Sequence, residues 1–263
     1  MAHAPSRLMM TTDRDGLAAL FRRDTAIHVY GLADLEDRFW DNSVWWRDGA
    51  AAVGRVRLPG PEGVVAVYAI SPRAPDLTTA LLTDVVDQIP AGALVLAPVG
   101  ADEAMARVRA VDSFGTHVKM SISPAALREP VGAGSAEVLS TDDLADLQAL
   151  YDTDPGAAYF LPSMLRAGVF VGVREAGRLV AAGGTHVLSE QYGVAGLGGI
   201  ITAPDARGRG HAAAVTARLS RLLLDRGLTV GLNVKASNAA AVGVYRRLGF
   251  IEIHRYVEFE LGV

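Results

Sequence analysis

Two hydrophobic periods divide this chain into helices and strands, and the second half shows them most clearly. Val169 to Val173 is a β-rich apolar run, and Arg174-Glu175-Ala176-Gly177-Arg178 reads as a hairpin connection. Leu179 to Leu188 returns as a second strand, and Tyr192 to Thr202 as a third, poor in side chains and heavy in glycine. A polar loop follows, Pro204 to Gly210. Then Ala212, Val215, Leu219, Leu222 and Leu223 recur at three- and four-residue spacing, which predicts an amphipathic helix ending near Gly227. Leu228, Val230, Leu232 and Val234 alternate as a strand. Ser237 or Asn238 caps a short helix with Ala241, Val242, Tyr245 and Leu248 on its inner face, and Gly249 ends it. Ile251, Ile253, Val257, Phe259 and Leu261 then alternate with polar residues and Tyr256, predicting a last strand with one wet face. The order predicts a mixed α/β sheet.

The first half opens with a pattern that returns 130 residues later. Thr11, Asp13, Leu17, Ala19, Leu20, Phe21 and Asp24 meet Thr141, Asp143, Leu147, Ala149, Leu150, Tyr151 and Asp154. Both segments read as a capped amphipathic helix opening a domain, a pattern that two unrelated helices also share by chance. Between them, Arg128 to Ser135 is rich in Pro, Gly and small residues, a linker signal. The expected domains are therefore 1–130 and 131–263.

Composition narrows the chemistry. The 263 residues carry 25 Lys+Arg against 29 Asp+Glu, a net charge of −4, which disfavours a nucleic-acid binder. There is no cysteine, so no disulfide, thiol nucleophile or thiolate metal site. Only Lys119 and Lys235 are lysines; the other basic residues are arginines, as coding bias alone would give. No apolar stretch approaches the roughly 20 residues of a membrane span. Met1 to Thr12 lacks a signal peptide's apolar region, so the expectation is a cytoplasmic protein without membrane or metal.

The informative segment is Arg207-Gly208-Arg209-Gly210-His211-Ala212, between a strand and an amphipathic helix. Its glycines permit a tight turn, and the helix start offers unpaired N–H groups that suit phosphate. It lacks the Gly-Lys-Ser/Thr of a nucleotide loop, and Gly196-Leu197-Gly198-Gly199-Ile200-Ile201 fails the dinucleotide fingerprint at its third glycine. Alone, the six residues are equally a plain Gly-rich loop. Downstream, however, Asn238, Ala241, Tyr245, Gly249 and Phe250 form N-x-x-A-x-x-x-Y-x-x-x-G-F after a strand.

Together, R-x-x-G-x-A before a helix and this second block resemble the GCN5-related N-acetyltransferase (GNAT) superfamily, over roughly Ser135 to Val263. The two-part layout looks like a tandem GNAT-like fold, with a complete C-terminal copy and a degenerate N-terminal one, as in the glycine N-acyltransferase-like branch. The resemblance implies direct transfer of an acetyl or short acyl group from acetyl-CoA or another acyl-CoA to a primary amine of a small molecule or peptide. It implies that the amides of Arg207, Gly208, Arg209, Gly210, His211 and Ala212 hold the pyrophosphate. The backbone of Ile200, Ile201 and Thr202 would bond the pantetheine arm, and Asn238 would touch it. Tyr245 would protonate the departing thiolate, although its apolar helix face equally suits a core aromatic. An amide near Ile200 or Ile201 would polarise the thioester carbonyl. Direct transfer needs no cysteine, because the cofactor brings its own sulfur.

One part of the family pattern is missing. Many members carry a glutamate on the third strand as general base, and Gly193 to Ile201 holds no carboxylate. Glu190, His186 and Asp154 stand open as substitutes, and His211 suits anion binding better. The acceptor would meet Asp152, Asp154, Tyr159 and Phe160. Trp40, Trp45 and Trp46, the only tryptophans, are expected to pack between the halves or to wall the acceptor site. The alternatives are a non-catalytic acyl-CoA-binding sensor, which the missing carboxylate favours, and an interaction module using the Trp-bearing half. A homodimer is compatible with the sequence.

Overall fold

A computed structural model describes residues 10–58, 63–130, 135–156 and 160–263. Residues 1–9, most of the N-terminal segment considered above, lie outside the described residues, as do Val131 to Gly134 of the linker and Tyr159. The chain begins with β1 (Met10–Thr11), α1 (Arg14–Phe21), α2 (Val29–Ala33), α3 (Asp37–Trp40), β2 (Ser43–Asp48), β3 (Ala51–Arg57) and β4 (Val65–Tyr68). It continues with α4 (Pro75–Asp84), β5 (Leu94–Ala97), α5 (Ala101–Met105) and β6 (Val111–Ile122). Next come β7 (Glu137–Leu139), α6 (Leu144–Tyr151), α7 (Pro162–Ala167), β8 (Phe170–Glu175), β9 (Arg178–Ser189) and β10 (Val194–Thr202). The last elements are α8 (His211–Leu224), β11 (Thr229–Lys235), α9 (Ala239–Leu248) and β12 (Ile251–Leu261).

These elements form two compact units. Unit 1 is Met1–Asp24, Asp34–His117 and His254–Val263; unit 2 is Thr25–Ala33 and Val118–Ile253. The division therefore does not fall at residue 130. The short α2 belongs to unit 2, and each unit takes a strand from the other half of the chain.

Unit 1 orders its strands β1-β2-β3-β4-β5-β12, with β4 and β5 parallel and the others antiparallel. The alternating apolar residues of these strands meet Leu81, Leu82 and Val85 of the α4 region, as one-sided burial of a sheet requires. Trp46 is fully buried in that core. Trp45 covers Gly54, where an added Cβ would stand 2.4 Å from its ring, and tilts against Phe21 at 5.7 Å. Trp40 lies beneath Arg14, 4.7 Å from its centroid. Trp45 and Trp46 thus fill the interior of unit 1, and Trp40 packs beneath Arg14. Tyr256 of β12 is also fully buried, whereas Ile251 is 65% exposed. The predicted alternation fails there because β12 passes from unit 2 into unit 1 after Ile253.

Unit 2 orders its strands β6-β11-β10-β9-β8-β7. The β8–β9 turn places Ala176 at φ 48° and Gly177 at φ 84°, the left-handed pair that matches strand twist. Arg174 joins Glu137, Asp143 and Asp146 at 2.6–2.9 Å and ties β8 to β7 and the start of α6. The stripe on α8 is buried against the sheet through Val215, Leu219 and Leu223, as its spacing predicts. Among the described residues no helix is long and apolar enough to cross a membrane.

Candidate functional site

The central feature of unit 2 is a parting of strands. β10 and β11 pair in parallel from Val194↔Thr229 to Leu197↔Leu232 and no further. β10 runs on to Thr202 and β11 to Lys235, so beyond Leu197 the facing edges have no strand partner. On its other side β10 stays paired to β9, but with a bulge. Gly198 faces Gly184, and the next pair is Ile201↔Ala182, leaving one extra residue on β10. Gly199 accommodates it at φ 60°. Ala203 N–H donates to Val180 O at 2.9 Å, so Ala203 and Ile201 turn their backbone groups to β9. Strand alternation then turns those of Ile200 and Thr202 to the unpaired edge. The buried Thr202 hydroxyl has no hydrogen-bond partner among the described residues.

The loop sits at the end of this edge. Gly208 at φ 79° and Gly210 at φ 87° are both left-handed, and Gly210 is the residue before α8. Ala214 N–H makes the first intrahelical bond, to Gly210 O at 3.0 Å. The N–H groups of His211, Ala212 and Ala213 therefore have no acceptor within the helix, and the positive end of its dipole lies there. The basic side chains are already engaged. Arg207 pairs with Asp154, and its Nε donates to Thr202 O at 3.2 Å. Arg209 donates to Glu175 at 2.8 Å and to Asp205 O at 2.7 Å, and His211 Nε2 lies 3.0 Å from Glu175. What the loop offers an anion is chiefly backbone N–H.

α9 follows β11 in the chain. Asn238 caps it, its Oδ1 accepting from Ala241 N–H at 3.1 Å. Tyr245 is buried, tilted against Phe250 at 5.9 Å, and burial pushes its phenol up to about 12. Its hydroxyl therefore keeps its proton at neutral pH.

The base candidates separate clearly. His186 is the extra residue of a second irregularity, since Gly196 pairs with Val187 and Leu197 with Thr185. Its ring covers Gly198, where an added Cβ would stand 2.3 Å from it, at the level where the strands part. Glu190 pairs with Arg226 beside the start of β10. From Val194 to Ile200 is roughly 20 Å along a strand, so Glu190 is far from the parting. Asp154 is held by Arg207, and Asp152 accepts from Gln148 at 3.0 Å. Phe160 stacks on Tyr151 at 4.6 Å.

Three residues at the site carried no sequence signal for it. Tyr30 of α2 covers Gly196 and donates to Leu197 O at 3.4 Å. Lys119 of β6 is 2% exposed, donates to Asn233 Oδ1 at 3.2 Å and lies 5.2 Å from the Tyr30 ring. Tyr151 of α6 donates its hydroxyl proton to Gly199 O. Among the described residues, no group of His, Asp and Glu is arranged to hold a metal.

Comparison with known proteins supports the architecture. Residues 139–250 match the model of the Acetyltransferase (GNAT) family, a span that contains the bulge, the loop and Tyr245. A mycothiol acetyltransferase of Tsukamurella paurometabola is 37% identical over 108 residues. That match covers 40% of this chain and only 37% of the relative's length. A Drosophila protein of known structure covers 97% of this chain and 98% of its own, with TM-score 0.70 and 19% identity. A putative GNAT acetyltransferase from Novosphingobium aromaticivorans covers 79% of this chain and 87% of its own, with TM-score 0.56 and 24% identity. The chain thus has a mixed α/β GNAT-like fold, with the family's sequence pattern in residues 139–250.

Proposed function

We propose that unit 2 binds acetyl-CoA, or another short acyl-CoA, and transfers the acyl group directly to a primary amine of a small molecule or peptide. The observation that carries this is the parting of β10 and β11 after Leu197 and Leu232. An extended, amide-bearing arm fits an open edge as an added strand. The orphaned Thr202 hydroxyl and the outward backbone of Ile200 suit such an arm, beside the Thr202 carbonyl that Arg207 Nε engages. Ile201 flanks it with its backbone turned to β9. Arg207 to Ala212 would hold the pyrophosphate by backbone N–H, and Asn238 keeps its side-chain N–H₂ for the arm after capping α9.

When bound, the cofactor supplies the acyl group and a sulfur leaving group. Ile200 N–H polarises the carbonyl at the bulge. His186 would take the proton of the attacking amine, and Tyr245 would give its proton to the departing sulfur. Unit 1 we read as a faded copy, the layout of the glycine N-acyltransferase-like branch. In support, α1 and α6 are both eight residues long and begin 130 residues apart, at Arg14 and Leu144. Each unit also follows a hairpin with a strand, a helix and a parallel strand. The segment before α4, Ala69 to Ala74, has no R-x-x-G-x-A, so one acyl-CoA per chain is expected.

The test is thiol release from acetyl-CoA with a panel of amines. With no cysteine in the chain, every thiol detected is the cofactor's. Amine-dependent release supports the proposal, and no acyl-CoA binding at millimolar ligand overturns it. The lack of a carboxylate on β10 favours a second reading, a sensor that binds acyl-CoA without turnover on any amine.

A further inference from the structure

We infer that Tyr151 is a positioning residue of the acyl-transfer site, whose hydroxyl fixes the Gly199–Ile200 peptide and so presents the Ile200 N–H to the thioester carbonyl. The inference rests on the acyl-CoA reading of unit 2. Tyr151 closes α6, is 6% exposed, and stacks on Phe160 with planes 2° apart. Phe160 in turn meets Phe170 edge-on at 5.6 Å. The phenol is therefore held from both ends. Its O–H donates to Gly199 O at 2.5 Å.

That carbonyl belongs to the bulge, where the extra residue has left the ladder. The peptide is planar and trans, so the Gly199 C=O and the Ile200 N–H point in opposite directions. Fixing the carbonyl fixes the N–H. An oxyanion-type donor acts only if it is held in place before the charge develops, so a bulge free to rock would lose its value.

Unit 1 supplies the contrast. At the position 130 residues earlier stands Phe21, which meets Tyr68 edge-on at 5.8 Å and has no hydroxyl. There β3 and β4 pair without a register shift. Phenylalanine is thus sufficient to fill the core at this place. Hydroxyl and bulge occur together in unit 2, whereas unit 1 has Phe21 and a β3–β4 ladder that runs unshifted to its last pair, Gly54↔Tyr68.

The test is Tyr151→Phe, which keeps the ring and its stacking. Acetyl-CoA carrying a ¹³C carbonyl is added to both proteins, and the thioester stretch is read by isotope-edited infrared difference. In the wild type, binding lowers the stretch; in Y151F most of that downshift is lost, while acetyl-CoA affinity stays within about threefold, since the pyrophosphate and pantetheine contacts remain. In the ligand-free proteins, the Gly199 carbonyl ¹³C resonance moves upfield in Y151F as its hydrogen bond is lost. An unchanged downshift in Y151F overturns the inference alone, as does an unmoved Gly199 resonance. A wild type that binds no acetyl-CoA overturns the function, and this inference with it.

Discussion

Replacing Gly210 by alanine isolates the backbone contribution of the loop. Gly210 stands at φ 87°, and a Cβ built there meets nothing within 4 Å. The cost is therefore conformational and not steric: about 1–2 kcal/mol for an L-residue held left-handed. If the loop relaxes to escape that strain, the N–H groups of His211 and Ala212 leave their positions. At 1.4 kcal/mol per tenfold, acetyl-CoA binding then weakens by roughly 5- to 30-fold. If the loop stays locked, the strain appears instead as a lower Tm, partly offset by the reduced freedom of the unfolded chain, about 0.4–1 kcal/mol. Asparagine tolerates this region better than alanine, so the expected order of affinity is Gly, Asn, Ala. Gly193 gives an internal control. It has φ 69°, an equally open Cβ position, and lies before β10 at the end away from the parting. G193A should lower Tm and leave acetyl-CoA affinity unchanged. Calorimetric titration with acetyl-CoA and a thermal melt read both quantities. The reasoning fails if G210A keeps wild-type affinity and Tm, or if G193A weakens binding as much as G210A.

Four further outcomes are expected. Tyr245→Phe should lower turnover by about 10²–10⁴ with little change in acyl-CoA affinity; normal turnover would make it packing alone. Because burial raises the Tyr245 phenol to about 12, folded protein binds that proton more tightly than unfolded chain. That stability is fully present below pH 10 and lost as pH rises from 10 to 12, up to about 3 kcal/mol, and Y245F should flatten this alkaline limb in urea unfolding. His186→Gln should lower turnover at neutral pH and remove an acidic limb from the rate profile, and an unchanged profile would exclude it as base. Arg174→Met should lower Tm by a few degrees, because three carboxylates lose one shared partner; no change would show the cluster to be ornamental.

What could be read from the letters was local. The α8 stripe, the Asn238 cap and the left-handed glycines before α8 follow from periodicity and turn chemistry, and each has the expected form. The glycines of β10 were visible as a group but not by cause. Gly196 and Gly198 make room for the rings of Tyr30 and His186, while Gly199 alone is needed for its φ. Nothing local separates those reasons. The five residues of α2 are too short and apolar to announce that they cover β10. The register at which β10 leaves β11 depends on strands distant in sequence, so no local pattern announced the parting. Trp45 and Trp46 show the converse risk: their bulk drew a functional expectation, and their burial in unit 1 accounts for them by packing.

The most direct test of acyl-CoA binding at the parted strands is amide hydrogen exchange with and without acetyl-CoA. The account predicts slowed exchange at Ile200, Thr202 and Gly208 to Ala213, together with Asn233 to Asn238, at one ligand per chain. Protection confined to unit 1, or none in these segments at saturating ligand, would contradict it.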